Sequence, residues 1–207
     1  MKPADTIARL FSIVLHPLLI PTLGIFILFQ LNTYLSFSVT AEARRFILLV
    51  IFINTAIIPV LSVLILRQTR VIKDLTLDER HERILPLLIA TVMLFLTFYL
   101  LRQITLPTLI YYYVTGAALL VLLSLLITFY WKISVHMMSL GGLTGFLIVV
   151  SLLLRADISY LIIAAFLVSG ITAAARIQLQ SHTPAQVYTG YLLGVFIMLM
   201  LFVYLRV

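Results

Sequence analysis

Apolar runs of about twenty residues recur along this chain, divided by short polar stretches, and no extended polar segment intervenes. A bilayer core takes about 20 apolar residues of helix per crossing. Runs of that length predict helices over roughly 7–31, 44–66, 84–104, 107–131, 135–154, 158–175 and 184–205. Together they use most of the 207 residues and leave no soluble domain of any size. The expected fold is an all-α, polytopic membrane helical bundle of six to seven transmembrane helices, with 1–207 as one domain. Pro17, Pro21 and Pro59 fall inside predicted spans, where neighbouring helices can satisfy the freed carbonyls. His16, beside Pro17, is read as a buried histidine bonded to a neighbouring helix, and no role is assigned to it.

Composition agrees: 63% of residues are hydrophobic and 10% charged. The first apolar run is too long for a signal-peptide core and lacks a small-residue cleavage site, so it reads as a retained span. Cysteine is absent, which excludes disulfides and thiol chemistry. A net charge of +7 points in a soluble protein toward nucleic acid, but in a membrane protein Lys and Arg collect at span ends and near anionic head groups. The membrane is therefore the expected partner, and nucleic acid is not.

The polar residues are unevenly shared between the two ends of the spans. The connectors "TAEARR", "RQITLP" and "LRADI" are short and plain. The alternate ones are "RQTRVIKDLTLDERHERILP" (67–86), "WKISVH" (131–136) and "ARIQLQSHTPAQ" (175–186), which hold three of the four histidines. Pairs of spans separate these clusters, so they are expected to converge at one membrane boundary. Counting Lys and Arg does not orient the chain, because several of them belong to the clusters themselves.

Each cluster also has a plainer explanation. Arg176 at a span end serves as a snorkelling anchor, and "TPAQ" at 183–186 is a capping box: Thr183 as cap, Pro184 at the first helical position, Gln186 three after the cap. Ser134 serves as the cap of a helix beginning near 135, with His136 an interfacial histidine. "KDLTLDERHER" is a solvated loop laced with weak ion pairs. On the functional side, a helix N-terminus attracts an anion, and arginine adds a rigid donor fork for phosphate or carboxylate.

In order, the clusters read Lys73 with Arg80, Ser134 with His136, and Arg176 with His182. That order resembles the type 2 phosphatidic acid phosphatase (PAP2) superfamily, whose pattern runs Lys-x6-Arg-Pro, then Pro-Ser-Gly-His, then Ser-Arg-x5-His-x3-Asp. His81 replaces the proline after Arg80, and "RILP" at 83–86 offers Arg83 as a second register. Ile133 and Val135 flank Ser134, Ala175 precedes Arg176, and Gln186 stands where the family has Asp.

The resemblance implies a lipid phosphatase that hydrolyses a phosphomonoester or pyrophosphate through a phosphohistidine. His182 would attack phosphorus, His136 would protonate the leaving lipid oxygen, and Gln186 would orient His182. Lys73, Arg80 or Arg83, Ser134 and Arg176 would hold the phosphoryl oxygens, so no metal and no cofactor is implied. The substrate would be a phosphorylated lipid such as polyprenyl pyrophosphate or phosphatidate, in the inner membrane of a bacterium. Two other readings rest on specific residues. Gln186 in place of Asp suits a catalytically weak or inactive lipid-binding or transport protein, and Asp74 with Asp78 suits an intramembrane prenyltransferase holding Mg²⁺-diphosphate.

Overall fold

A computed structural model of the chain describes residues 3–75, 77 and 79–204. Asp78, Lys2 and Arg206 lie outside the described residues. All regular structure among the described residues is helical. Six helical stretches are long and apolar enough to cross a membrane: Ala41–Gln68, His81–Leu101, Thr108–Thr128, Val135–Leu154, Ser159–Gln178 and Pro184–Tyr204. The chain is therefore a polytopic, all-α integral membrane protein, and the last six expected spans are present with small changes at their ends.

The first expected span, 7–31, is not one helix. It is two, α1 (Pro3–Val14) and α2 (Ile20–Gln30), with a break over 15–19. Pro17 is the cause. It has no N–H to give to the Ile13 carbonyl, its ring clashes with that carbonyl, and it drives His16 out of the helical region. The His16 N–H turns to Ile13 O at 3.3 Å, and Leu19 N–H to His16 O at 2.9 Å begins the next turn. Pro21 falls in the first turn of α2, where a missing N–H has no intrahelical partner to lose. Pro59 perturbs its helix less. Its absent donor leaves the ladder to widen into a π segment, Ile53–Ile57, between α4 (Ala41–Phe52) and α5 (Ile58–Gln68), with the Ile58 N–H reaching back to Ile53 O.

Contacts divide the chain into two compact units, residues 21–131 and residues 1–20 with 132–207. In the 21–131 unit, α2, α3 (Tyr34–Ser38), α4 and α5 are followed by α6 (Ile84–Leu101) and α7 (Thr108–Thr128), which pack as a hairpin. Arg44, within a connector that looked plain, locks the α2–α3–α4 corner. Its guanidinium donates to Val39 O at 2.9 Å, to Phe29 O at 3.4 Å and to Ser36 O, and lies over the Phe29 ring. Thr40 caps α4 by accepting the Ala43 N–H. The α6–α7 turn is held by Tyr111, whose hydroxyl donates to Ile104 O and accepts the Leu106 N–H.

In the other unit, α1 packs on α9 (Ser159–Gln178), and α9 lies against α8 (Val135–Leu154) and α10 (Pro184–Tyr204). The α8 and α10 backbones are in direct contact. A Cβ added at Gly190 would lie 2.9 Å from Ser134 O, one at Gly145 3.0 Å from Val195 O, one at Gly141 against Tyr191 O and one at Gly194 against Met138 O. Positions 134, 138 and 145 of α8 thus meet 190, 194 and 195–198 of α10, so the two helices run in the same direction and begin side by side. Gly141-x3-Gly145 and Gly190-x3-Gly194 are the small-residue spacing that lets helices approach this closely in lipid.

Gly194→Ala forces a methyl into the Met138 carbonyl, and overpacking of this kind costs about 1–3 kcal/mol. Gly170→Ala is the control, because its added Cβ meets nothing within 4 Å; it is expected to be neutral or to stabilise by about 0.5–1 kcal/mol. Thermal unfolding of the two variants in detergent should therefore move in opposite directions, and equal shifts would remove the glycine contact as the determinant of packing.

Candidate functional site

The end of the unit where α8 and α10 begin collects most of the expected residues. Ser134 is extended (φ −83°, ψ 102°) and precedes α8. Its carbonyl accepts the Met138 N–H at 3.0 Å, and its N–H reaches the Gln186 carbonyl in the first turn of α10 at 3.4 Å. The hydroxyl does not cap the helix. It is fully buried, and Ser134 Oγ has no hydrogen-bond partner. A buried hydroxyl without a partner costs on the order of 1–3 kcal/mol, so capping does not account for this serine.

The turn from α9 into α10 explains the glutamines of "ARIQLQSH". Gln178 Nε2 donates to Asp5 of α1 at 3.3 Å. Gln180 takes the left-handed conformation (φ 51°), and the Ser181 N–H returns to Arg176 O at 3.2 Å, closing the helix end. The chain reverses there and delivers His182, buried at 6% exposure, to the start of α10.

Gln186 makes the capping contacts and also a contact with His182. Thr183 Oγ1 accepts the Gln186 N–H at 3.4 Å, and Gln186 Oε1 accepts the Thr183 N–H at 3.2 Å, forming the capping box. The same Oε1 lies 3.0 Å from His182 Nδ1. Because Oε1 accepts from a backbone N–H, the orientation of the amide is settled, and His182 Nδ1 must be the donor. In the neutral ring this leaves Nε2 as the atom with a lone pair.

His136 occupies the first turn of α8. Its Nε2 lies 3.1 Å from Ser12 O on α1. Its ring meets that of His16 edge-on, with centroids 5.4 Å apart and planes at 76°. Arg176 is within electrostatic reach of both His16 and His136, and His182 within reach of His136. Ser134, His136, Arg176, His182 and Gln186 therefore share one end of one unit, under the N-termini of two parallel helices. An open cleft of about 600 Å³ between α9 and α10 runs from Gly170 and Ala173 to Gln178 and Tyr188.

Sequence reasoning assigned no role to His16 and did not single out Ser12. The signal that marks them is "HP" inside an apolar run, since a proline break exposes carbonyls and a neighbouring imidazole is placed to use them.

Lys73, Arg80 and Arg83 belong to the 21–131 unit, and each has a partner there. Lys73 Nζ pairs with Glu79 Oε1 at 2.9 Å, which holds the exposed ammonium above its ordinary pKa and the carboxyl below. The Lys73 N–H donates to buried Glu82 at 2.9 Å. Exposed Arg80 donates to Tyr130 O at 2.6 Å, and buried Arg83 donates through Nε to Leu77 O at 2.7 Å. Asp74 is exposed, and among the described residues no group of three or more His, Asp or Glu is placed to hold a metal ion.

No protein-family model matches the chain, and no curated protein or solved structure does so either.

Replacing Gln186 separates its two bonds from its charge. Gln186→Ala removes the reciprocal half of the capping box and the His182 acceptor, while Thr183 Oγ1 keeps the backbone N–H of residue 186; each lost hydrogen bond costs about 0.5–1.5 kcal/mol. Gln186→Glu keeps both acceptor bonds and adds a negative charge at a helix N-terminus. A carboxylate accepting those N–H groups titrates below its unfolded value, so its gain is present above the ordinary carboxylate range and is lost as pH falls through the folded pKa. Melting temperatures between pH 4 and 8, on the order of the range where maximal stability lies, should rank Glu at or above Gln, and Gln above Ala, at the neutral end. At the acid end the Glu advantage should disappear.

Proposed function

We propose that the chain is a PAP2-like integral membrane lipid phosphatase, in the inner membrane of a bacterium, that cleaves phosphate from a phosphorylated lipid without a metal. The observation that supports this most is the fully buried, unpartnered Ser134 hydroxyl beside His136, at the end of the unit that also carries Arg176 and His182. Phosphoryl transfer depends on positioning and on fixed positive charge around the equatorial oxygens. Here the Arg176 guanidinium, the Ser134 hydroxyl and the first-turn N–H groups of α8, which no side chain caps, supply donors of the required kind.

His182, donating through Nδ1 to Gln186, presents Nε2 as the nucleophile. Nε2 bonds to phosphorus as the P–O bond to the lipid breaks, and the imidazolium of His136 gives its proton to the leaving oxygen. In the second step water attacks phosphorus, His136 takes the water's proton, and His182 leaves as a neutral ring. Lys73 and Arg80 or Arg83 are assigned to the phosphoryl oxygens on motif order alone. The cleft along α9, whose polar end adjoins Arg176 in sequence, suits the hydrocarbon chain of the lipid.

The second reading, a carrier that binds phospholipid without turnover, is favoured by the same Gln186. Its capping role is complete without catalysis, and a neutral acceptor does not stabilise an imidazolium as a carboxylate does.

The test is phosphate release from phosphatidate and from a polyprenyl pyrophosphate in detergent, with and without EDTA. Release insensitive to EDTA and abolished by His182→Ala, together with any trapped phosphoenzyme, is the expected result. His136→Ala should slow a long-chain alkyl phosphate by about 10²–10⁴-fold, the usual contribution of a general acid, and spare an activated aryl phosphate. Retained phospholipid binding with no turnover in the wild type would establish the carrier instead.

A further inference from the structure

The break in the first apolar run changes what the end of α1 can bond. In a continuing α-helix the His16 N–H would go to Ser12 O and a residue 17 N–H to Ile13 O. Pro17 has no N–H, and the His16 N–H moves to Ile13 O. Ser12 O is thereby released, and it lies 3.1 Å from His136 Nε2. A carbonyl only accepts, so Nε2 is the donor, and the neutral ring of His136 keeps its lone pair on Nδ1.

His16 completes the arrangement. The Leu18 N–H donates to His16 Nδ1 at 3.3 Å, so this nitrogen is an acceptor and the proton of the neutral ring is on Nε2. The His16 ring forms an edge-on wall against His136. Ser12 is also buried, and its Oγ has no partner. The two histidines expected to do the chemistry are thus anchored in complementary ways, His182 through Nδ1 on Gln186 and His136 through Nε2 on Ser12 O.

We propose that His16, acting with the Ser12 carbonyl that Pro17 releases, is a positioning residue for His136: it holds the ring in the Nε2–H tautomer and leaves Nδ1 for proton transfer to and from the substrate. The assignment of His136 as the acid rests on the phosphatase reading; the tautomer and its cause do not. Orienting a ring through one nitrogen so that the other does the chemistry is how an acid–base histidine is kept in its working tautomer.

The experiment uses full-length protein in nanodiscs with ¹⁵N-labelled histidine, the His136 signals being identified by their loss in His136→Gln. Wild type and His16→Phe, which keeps an aromatic wall, should show His136 as a single Nε2–H tautomer. His16→Ala, and separately Pro17→Ala, which returns the Ser12 carbonyl to the helix ladder, should show a mixture of tautomers. In kinetics, His16→Ala should lose about tenfold in kcat on a long-chain alkyl phosphate and less than about twofold on nitrophenyl phosphate, with KM unchanged, because only the poor leaving group needs the acid. His16→Phe should recover most of that loss. An unchanged His136 tautomer in His16→Ala and Pro17→Ala, with equal losses on both substrates, would overturn the proposal and leave His16 as packing. If wild type turns over neither substrate, the phosphatase reading falls, and the tautomer measurement alone decides the positioning role.

Discussion

Two membrane helices can bring their backbones into contact only where side chains are missing, and α8 and α10 meet that condition at Gly141, Gly145, Gly190 and Gly194. In lipid no hydrophobic force favours one apolar helix pair over another, so close packing itself must supply the attraction. The consequence here is directional. Because the helices run parallel with Gly190 against Ser134, the start of α8 and the start of α10 lie together, and the Ser134 N–H reaches the Gln186 carbonyl. Two N-terminal dipole ends then face one small volume, with one histidine at each helix start, His136 and His182.

That placement gives the short loop 179–183 its sequence. The chain must leave α9, reverse, and enter α10 at a fixed spot, which it does with Gln180 in a left-handed conformation and a reciprocal Thr183–Gln186 cap. Gln186 shows how one side chain can satisfy two requirements. Its carbonyl closes the helix end and also fixes the tautomer of His182. A capping role and an orienting role, which looked like alternatives, are here a single three-centre contact.

In the 21–131 unit, several charged side chains are satisfied by contacts close in sequence. Arg44 gathers three carbonyls at one corner, and Lys73, Glu79, Glu82 and Arg83 knit the segment before α6 to itself. Buried Glu82 and Arg83 are tolerated because each bonds backbone groups that would otherwise lack partners, which offsets the cost of removing a charge from water.

Hydropathy by itself determined the class of this protein and the positions of six helices, because a span length of apolar residues has few alternatives in a chain without polar domains. Local chemistry around 183–186 was also legible, since a capping box is defined within four residues. What the sequence could not decide was anything that depends on a second helix. Pro17 looked tolerable inside a span, but only the packed structure shows a helix that ends before it and a released Ser12 carbonyl used by a residue 124 positions away. Ser134 looked like a cap and is a buried hydroxyl without a partner, because Gly190 lets α10 close over it. His16 looked inert for the same reason: its neighbour His136 is distant in sequence, and tertiary packing alone brings the two rings together.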